Sequence, residues 1–426
     1  MYTKIISDTL RKASEQSPSL FAALVDKHFS KMKRGLLIID DVQSGRVYRF
    51  GRGSEVQARI TVNDPVFFRK LVLATDIGLG ESYVDGDWDT DDIGKVIRWF
   101  ILNLQDMPSM SGGRANIRNI LVNAMAAVNR MHHSLNQNSV EGSRKNISNH
   151  YDLGNEFFSS FLDETMTYSS ALYISDEAEP MPVAQRRKLQ NMAEMAGVKA
   201  HHKILEIGTG WGEFSCFLAA TYGCEVTTLT ISEQQFAFAR QKVRQRGLEH
   251  LVTIKNMDYR KLHGQFDRIF TVEMLEAVGA EFLPTFFEKC EEWLKPSGKM
   301  VHQVILSPDS RFEDFKNGVD WIQKHIFPGS LLPSITALLD AANQDDRSFI
   351  LSDYKEMGLD YARTLREWQQ NFNRNFPRIE KLKLGFDTAF RRKWNYYFSY
   401  CEAAFSMRNI TVAQIGMTRP NNHQPD

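Results

Sequence analysis

At 426 residues the chain exceeds one average domain and is long enough to bury a sizeable core. Its 52 basic and 52 acidic residues cancel without a long block of like charge, which argues against a nucleic-acid partner and leaves a neutral or acidic small molecule, or a membrane surface touched locally. Four cysteines, Cys216, Cys224, Cys290 and Cys401, lack Cys-x-x-Cys spacing; this argues against a disulfide framework and a structural zinc site, and makes a reducing cytosol the simplest home.

The opening MYTKIISDTLRKASEQSP has no cleavable apolar region, and nowhere do about eighteen apolar residues follow one another, so neither export nor a membrane span is expected. Residues 1 to 31 carry apolar side chains at helical spacing, among them Ile5, Ile6, Leu10, Leu20, Phe21, Leu24, Val25 and Phe29. From Gly35 to Phe68 the texture changes: LLIIDDVQSGRVYRFGRG reads as two β-rich runs around a Ser-Gly turn, and EVQARITVNDP alternates like a half-buried strand. A small α+β module follows from that. Next come a glycine turn at Gly78 and Gly80 and a short amphipathic helix near residues 91 to 104. Residues 105 to 146 suit a helical linker. The boundary is placed near residue 130, giving an accessory domain over 1–130 and an α/β domain over 131–426.

From residue 203 strands and helices alternate: KILEIG, a helix to Tyr222, EVTTLTI, a helix to Arg246, VTIKNM, FDRIFTV, a helix to Leu294, then KMVHQVIL. Such alternation predicts a parallel sheet wrapped by helices, with the site outside the strands' carboxyl ends. Residues 308–350, with Phe312, Phe315, Trp321, Ile322, Ile326 and Phe327, interrupt the rhythm as an insertion placed to roof a pocket. WNYYFSYCEAAFSMRN and ITVAQIGM read as a last helix and a closing edge strand.

KILEIGTGWGE (203 to 213) carries the strongest chemical signal. An apolar run ends in Glu206 and then Gly208, Gly210 and Gly212, where positive φ and the missing Cβ let a ligand lie against bare backbone. A dinucleotide fingerprint would place its third glycine three positions after the second. The pattern here, Glu-x-Gly-x-Gly-x-Gly, favours S-adenosylmethionine (SAM) over NAD or FAD, with Glu206 placed to receive an ammonium group.

These residues belong to a longer series of motifs: NISNHYDLGNEFFSSFLDETMTYSSALY (146 to 173), LEIGTGWGEF (205 to 214), LTISEQQ (229 to 235), DYRKL (258 to 262), VEMLEAVG (272 to 279), HQV (302 to 304), WIQKHIFPGSLLPS (321 to 334) and GLDYARTLREW (358 to 368). With GLGESYVDGDW (78 to 88) in the accessory module, the series resembles the cyclopropane-fatty-acyl-phospholipid synthase family, a group of SAM-dependent lipid methyltransferases, over nearly the whole chain. The fold this implies is α/β: a Rossmann-like class I SAM-dependent methyltransferase with an N-terminal α+β accessory domain.

By that resemblance, Tyr168 and Ser169 recognise the SAM carboxylate, Thr230, Ile231 and Gln235 lie along the ribose where many Rossmann-type proteins carry an acid, and Asp258 and Tyr259 hold the adenine. Ser232 reads equally as a helix cap. Asn149, His150 and Tyr151 open an aromatic segment in which Phe157, Phe158 and Phe161 read as packing. The reaction implied is transfer of the methyl carbon to the double bond of an unsaturated phospholipid acyl chain, closing a cyclopropane, or a methylation without ring closure. An alkene is a feeble nucleophile, so the sulfonium must be pressed against it in a dry pocket, and a base must then take a proton. A protein carboxylate is open to alkylation by the cation. The resemblance implies instead a bound bicarbonate, held by Glu276, His302, Tyr361 and the backbone at Ser170. Without the resemblance, Glu276 reads as an acid in a helix's first turn and His302 as a satisfied core histidine.

Three departures stand out: Ser170, Ala277 and Val304 occupy positions where the family commonly has cysteine, histidine and isoleucine, which bears on the choice between the two products. Phe67, Phe68, Trp88, Trp99 and Phe100 with Arg69, Lys70, Lys95 and Arg98 read either as a membrane-touching patch or as the small module's own core. The resulting expectation is a cytoplasmic enzyme bound peripherally to the inner membrane. It leaves a homodimer open.

Overall fold

The structure, a computed structural model, describes residues 18–105, 153–174, 178–382 and 385–422. The helical reading of Ile5, Ile6 and Leu10, the boundary near residue 130, and Asn149, His150 and Tyr151 lie outside the described residues.

The N-terminal module contains α1 (Pro18–Phe29), β1 (Leu36–Asp41), β2 (Arg46–Phe50), β3 (Gln57–Val62), α2 (Val66–Asp85), β4 (Trp88–Asp89) and α3 (Ile93–Leu102). Its sheet runs β2-β1-β3-β4, with β1 antiparallel to β2 across the expected turn and parallel to β3. The alternation in β3 turns Ala58, Ile60 and Val62 inward. Asp92 starts α3 by accepting a hydrogen bond from the Lys95 N–H at 2.9 Å.

The glycine turn predicted at Gly78 and Gly80 is not a turn. Both lie inside α2, which instead kinks at Thr75 (φ 49°). The glycines serve close approach: a Cβ on Gly78 would stand 2.0 Å from the Lys70 carbonyl oxygen, and one on Gly80 would stand 2.4 Å from the Trp321 ring and 2.7 Å from Tyr396. Because neither ring has room to retreat, Gly80→Ala is expected to destabilise the fold by about 1–3 kcal/mol through overpacking. Urea unfolding checks this, and an unchanged midpoint would contradict so tight a contact.

The larger unit follows with α4 (Asn155–Ser159), α5 (Met181–Met195), β5 (Lys203–Ile207), α6 (Glu213–Tyr222), β6 (Glu225–Thr230), α7 (Glu233–Gln245), β7 (Val252–Asn256), β8 (Phe266–Val272), α8 (Leu283–Trp293) and β9 (Leu294–Leu306). The insertion contributes α9 (Phe312–Asn317), α10 (Trp321–His325) and α11 (Ile335–Ala342) before β10 (Ile350–Glu356), α12 (Gly358–Ile379), α13 (Thr388–Ser406) and β11 (Thr411–Thr418). The sheet order is β10-β11-β9-β8-β5-β6-β7. Strands β5 to β9 are parallel, whereas β11 runs antiparallel to both β9 and β10.

Two expectations change here. The sheet is mixed, and ITVAQIGM is no edge strand: β11 is inserted between β9 and β10, which is why seven of its eight residues are buried. The edge falls to β10, whose ILSDYKE is largely exposed and polar.

Of the two readings of the module's aromatic residues, the core is the one the structure has. Phe67, Phe68, Trp88, Trp99 and Phe100 are all buried and form the module's own core, with Phe67 edge-on to Phe68 at 5.1 Å. Lys70 is paired with Asp85 and Asp87 at 2.6 Å. Arg98 pairs with Glu402 of α13, and Arg392 of α13 reaches Asp89 at 2.7 Å, so the last helix clamps the module to the larger unit. Phe157, Phe158 and Phe161 are packing residues as expected, and Phe157 meets Trp394 of α13 at 4.7 Å.

Candidate active site

The turn after β5 takes the conformation its glycines permit: Gly208, Gly210 and Gly212 have φ of 100°, 51° and 83°. Gly208 and Gly210 line a cavity of about 430 Å³ beyond the carboxyl ends of the parallel strands. Gly212 does not. A Cβ there would stand 2.9 Å from Ala239 Cβ, so this glycine permits the packing of α6 against α7 and makes no wall of the cavity.

Around the loop lie the other residues expected at the donor. Glu206 is buried, accepts a hydrogen bond from Thr228 Oγ1 at 2.7 Å and another from Ser215, and is pushed up to about 7 by burial. Thr230 donates to Gln235 Oε1 at 3.1 Å, and both line the cavity with Ile231, Asp258 and Tyr259. Asp258 is paired with Arg260 at 2.7 Å and Tyr259 packs edge-on to Phe286 at 5.7 Å. Ser232 caps α7, accepting from the Gln235 N–H at 3.3 Å. Tyr168 and Ser169 face the same cavity; their hydroxyls meet Tyr397 Oη at 2.9 Å and Lys188 Nζ at 2.7 Å.

Beyond the donor loop the cavity continues between both parts of the molecule. Leu79, Ile97, Phe100 and Ile101 of the accessory module face Phe315, Ile322 and Phe327 of the insertion. The insertion is tied over the site by the Leu331 N–H, which donates to the Glu276 carbonyl at 2.8 Å.

Where the two regions meet stand Glu273, Glu276 and Tyr361. Three donors converge on the Glu273 carboxylate: the Ser170 N–H and Gln303 Nε2 reach Oε1, each at 2.9 Å, and the Tyr361 hydroxyl reaches Oε2 at 2.7 Å. Gln303 is oriented by Gln414, whose Nε2 donates to Gln303 Oε1 at 3.0 Å. Glu276 accepts from the Ile305 N–H, while its Oε2 is buried without a hydrogen-bond partner. Burial, together with the neighbouring Glu273 charge, pushes Glu276 up to about 8, so it is largely neutral at pH 7.

The structure corrects the expectation for His302. It lies in β9 on the face away from the cavity, against Phe286 and Phe287 at ring distances of 5.8 and 6.0 Å, with Nδ1 2.9 Å from Thr271 Oγ1. Burial lowers it to about 3, leaving a neutral imidazole. Successive strand residues face opposite sides, so Gln303 and Ile305 look toward Glu273 and Glu276 while His302 and Val304 look away. The Ser170 N–H, expected to hold the anion, donates to Glu273, and its side chain is buried and bonds the Ala171 carbonyl.

Glu276 and Tyr361 therefore come together and His302 does not join them. The residues present do not fit a bound bicarbonate. The backbone N–H of Ser170 and the hydroxyl of Tyr361, expected to hold that anion, are both engaged by Glu273, and a second anion here would face two carboxyl groups.

Sequence reasoning passed over Glu273, Gln303 and Lys188. The signals were present: Glu273 and Glu276 share one strand-to-turn motif, Gln303 adjoins the histidine, and Lys188 is a charge on the buried stripe Ala184, Gln185, Lys188, Leu189 and Met192 of α5.

A family model described as mycolic acid cyclopropane synthetase matches residues 138–415. Tuberculostearic acid methyltransferase UfaA1 of Mycobacterium tuberculosis is 37% identical over 349 residues, covering 80% of this chain and 79% of that protein. Cyclopropane-fatty-acyl-phospholipid synthase of Escherichia coli is 34% identical over 373 residues, covering 85% of this chain and 88% of the relative. The solved mycolic acid cyclopropane synthase CmaA1, complexed with SAH and CTAB, superposes with a TM-score of 0.59 at 25% identity over 65% of this chain and 98% of its own. The Rossmann-like class I methyltransferase fold and SAM as donor follow from these likenesses and the glycine loop. This chain belongs to the mycolic acid cyclopropane synthetase family and is a SAM-dependent C-methyltransferase of the cyclopropane synthase type, acting on lipid unsaturation.

Proposed function

We propose that the enzyme adds the methyl carbon of SAM to the double bond of unsaturated acyl chains in membrane phospholipid and closes a cyclopropane ring. The observation that carries this reading is one cavity in which the glycine loop and an apolar channel meet at Glu273, Glu276 and Tyr361. Such a cavity holds a sulfonium against a π bond and keeps water from the cation that forms. The Escherichia coli relative's name supports phospholipid as the carrier.

A second reading, methylation without ring closure, is favoured by the 37% identity to a tuberculostearic acid methyltransferase and by Ala277 on the cavity wall in place of the family's histidine. Either way the substrate lies in a bilayer, and the reading has the enzyme meet the inner membrane peripherally from the cytoplasm; no helix among the described residues is long and apolar enough to cross a membrane. The test is incubation of purified protein with labelled SAM and unsaturated phospholipid vesicles. Cyclopropane methylene protons in the NMR spectrum of the acyl product are expected; a methyl-alkene spectrum selects the second reading, and an unlabelled acyl fraction defeats both.

A further inference from the structure

We propose that the Glu273 carboxylate occupies the anion position that the family resemblance assigns to bicarbonate and is the enzyme's own base, taking the proton that the alkylated acyl chain must lose. This rests on the reading above.

Four observations converge. The donors suited to an oxyanion at this spot, the Ser170 N–H, Gln303 Nε2 and the Tyr361 hydroxyl, all end on Glu273 at 2.7 to 2.9 Å. The backbone of Glu273 is held at φ 48°, a conformation costly for a residue with a Cβ, by an N–H bond to the Gln303 carbonyl at 2.7 Å. That strained turn aims the carboxylate into the cavity beside the donor loop, where the next residue, Met274, lies 3.4 Å from the position a Cβ on Gly208 would take. Finally, the two neighbouring carboxyls differ: Glu276 lacks charged-form donors on Oε2 and holds its proton, whereas Glu273 has three donors for its ionised form.

The step balances without a co-reactant. The C–S bond breaks with its pair going to sulfur, and the alkene π pair forms the new C–C bond, leaving a cation on the adjacent carbon. A C–H pair of the new methyl closes the ring onto that cation and its proton passes to Glu273; loss of a chain proton to the same carboxylate gives the methyl-alkene instead. S-adenosylhomocysteine leaves, and Glu273 returns its proton to water. Alkylation of the carboxylate is opposed by the hydrogen bonds on both its oxygens, which draw off the electron density an ester bond would need.

Three measurements test this on the full chain. In carbonate-depleted buffer, wild-type acyl methylation is expected to change less than about twofold on adding bicarbonate, while Glu273→Gln loses about 10²–10⁴-fold in kcat with SAM affinity kept, the range of a general base. Glu273→Gly, which suits the positive φ, is expected to regain at least about tenfold of its lost rate with formate or bicarbonate. A wild-type requirement for bicarbonate, or an active Glu273→Gln, overturns the proposal. Should the wild type methylate no acyl chain, the functional reading fails separately, and ¹³C NMR of labelled bicarbonate with SAH-loaded protein still decides the anion site: binding to Glu273→Gly alone is expected, and binding to wild type overturns it.

Discussion

Lys188→Met is expected to weaken SAM binding by about 10- to 100-fold, the worth of a buried charge-assisted hydrogen bond of about 1.5–3 kcal/mol. Lys188 has no exposed surface, lines the donor end of the cavity and donates to Ser169 at 2.7 Å. Burial lowers it to about 8, with the surrounding carboxylates of Glu273, Asp163 and Glu206 opposing that fall, so it is mostly charged at pH 7. On our reading it offers a cation to the donor's carboxylate, and it steadies the ionised form of Glu206, the residue we propose as partner of the donor's ammonium. The signs then follow. Glu206 titrates near 7, so wild-type affinity rises as pH increases through that value; without Lys188 its carboxyl is raised further, and the rise moves to higher pH. Methionine keeps the volume, so folding is preserved. Calorimetric titration of SAM across this range checks both effects, and an unchanged affinity with an unmoved pH limb would reduce Lys188 to a packing residue.

The parts of this molecule that were legible in the sequence are those whose physics is local. Gly208 and Gly210 announce a left-handed turn because other residues resist positive φ, and the strand-helix alternation from Lys203 to Leu306 is written in side-chain periodicity. Gly78 and Gly80 misled because glycine marks close approach as well as turns, and only the distant Trp321 shows which. The position of β11 depends on pairings with β9 and β10, which no local pattern encodes. The catalytic end suffered from strand register. His302 is the more eye-catching residue, yet its neighbour Gln303 faces the site, and a slip of one residue reverses a strand. Glu273 was hidden for a different reason: its role depends on donors from Ser170, Gln303 and Tyr361, far apart in sequence.

Tyr361→Phe tests how that convergence works as a unit, and a fall in kcat of about 10- to 100-fold is expected with little change in KM or SAM affinity. The hydroxyl is the donor to Oε2, and the ring packs at 4.5 Å on Phe405, so phenylalanine keeps the wall and removes one hydrogen bond. Burial raises Glu273, while Gln303, Ser170 and Tyr361 oppose that rise by bonding its charged form. Losing the tyrosine therefore raises Glu273 further. The ionised base is needed for proton removal, so the acidic limb of the kcat profile moves to higher pH and part of the lost rate returns in alkali. A purely structural role predicts a pH-independent loss; the shifted limb separates the two. The ratio of cyclopropane to methyl-alkene supplies a second readout, because a carboxylate with one oxygen released swings more freely between the new methyl and the neighbouring chain carbon. An increase in methyl-alkene alongside the shifted limb is expected, and a fixed ratio with an unshifted profile would remove Tyr361 from the proton-transfer step.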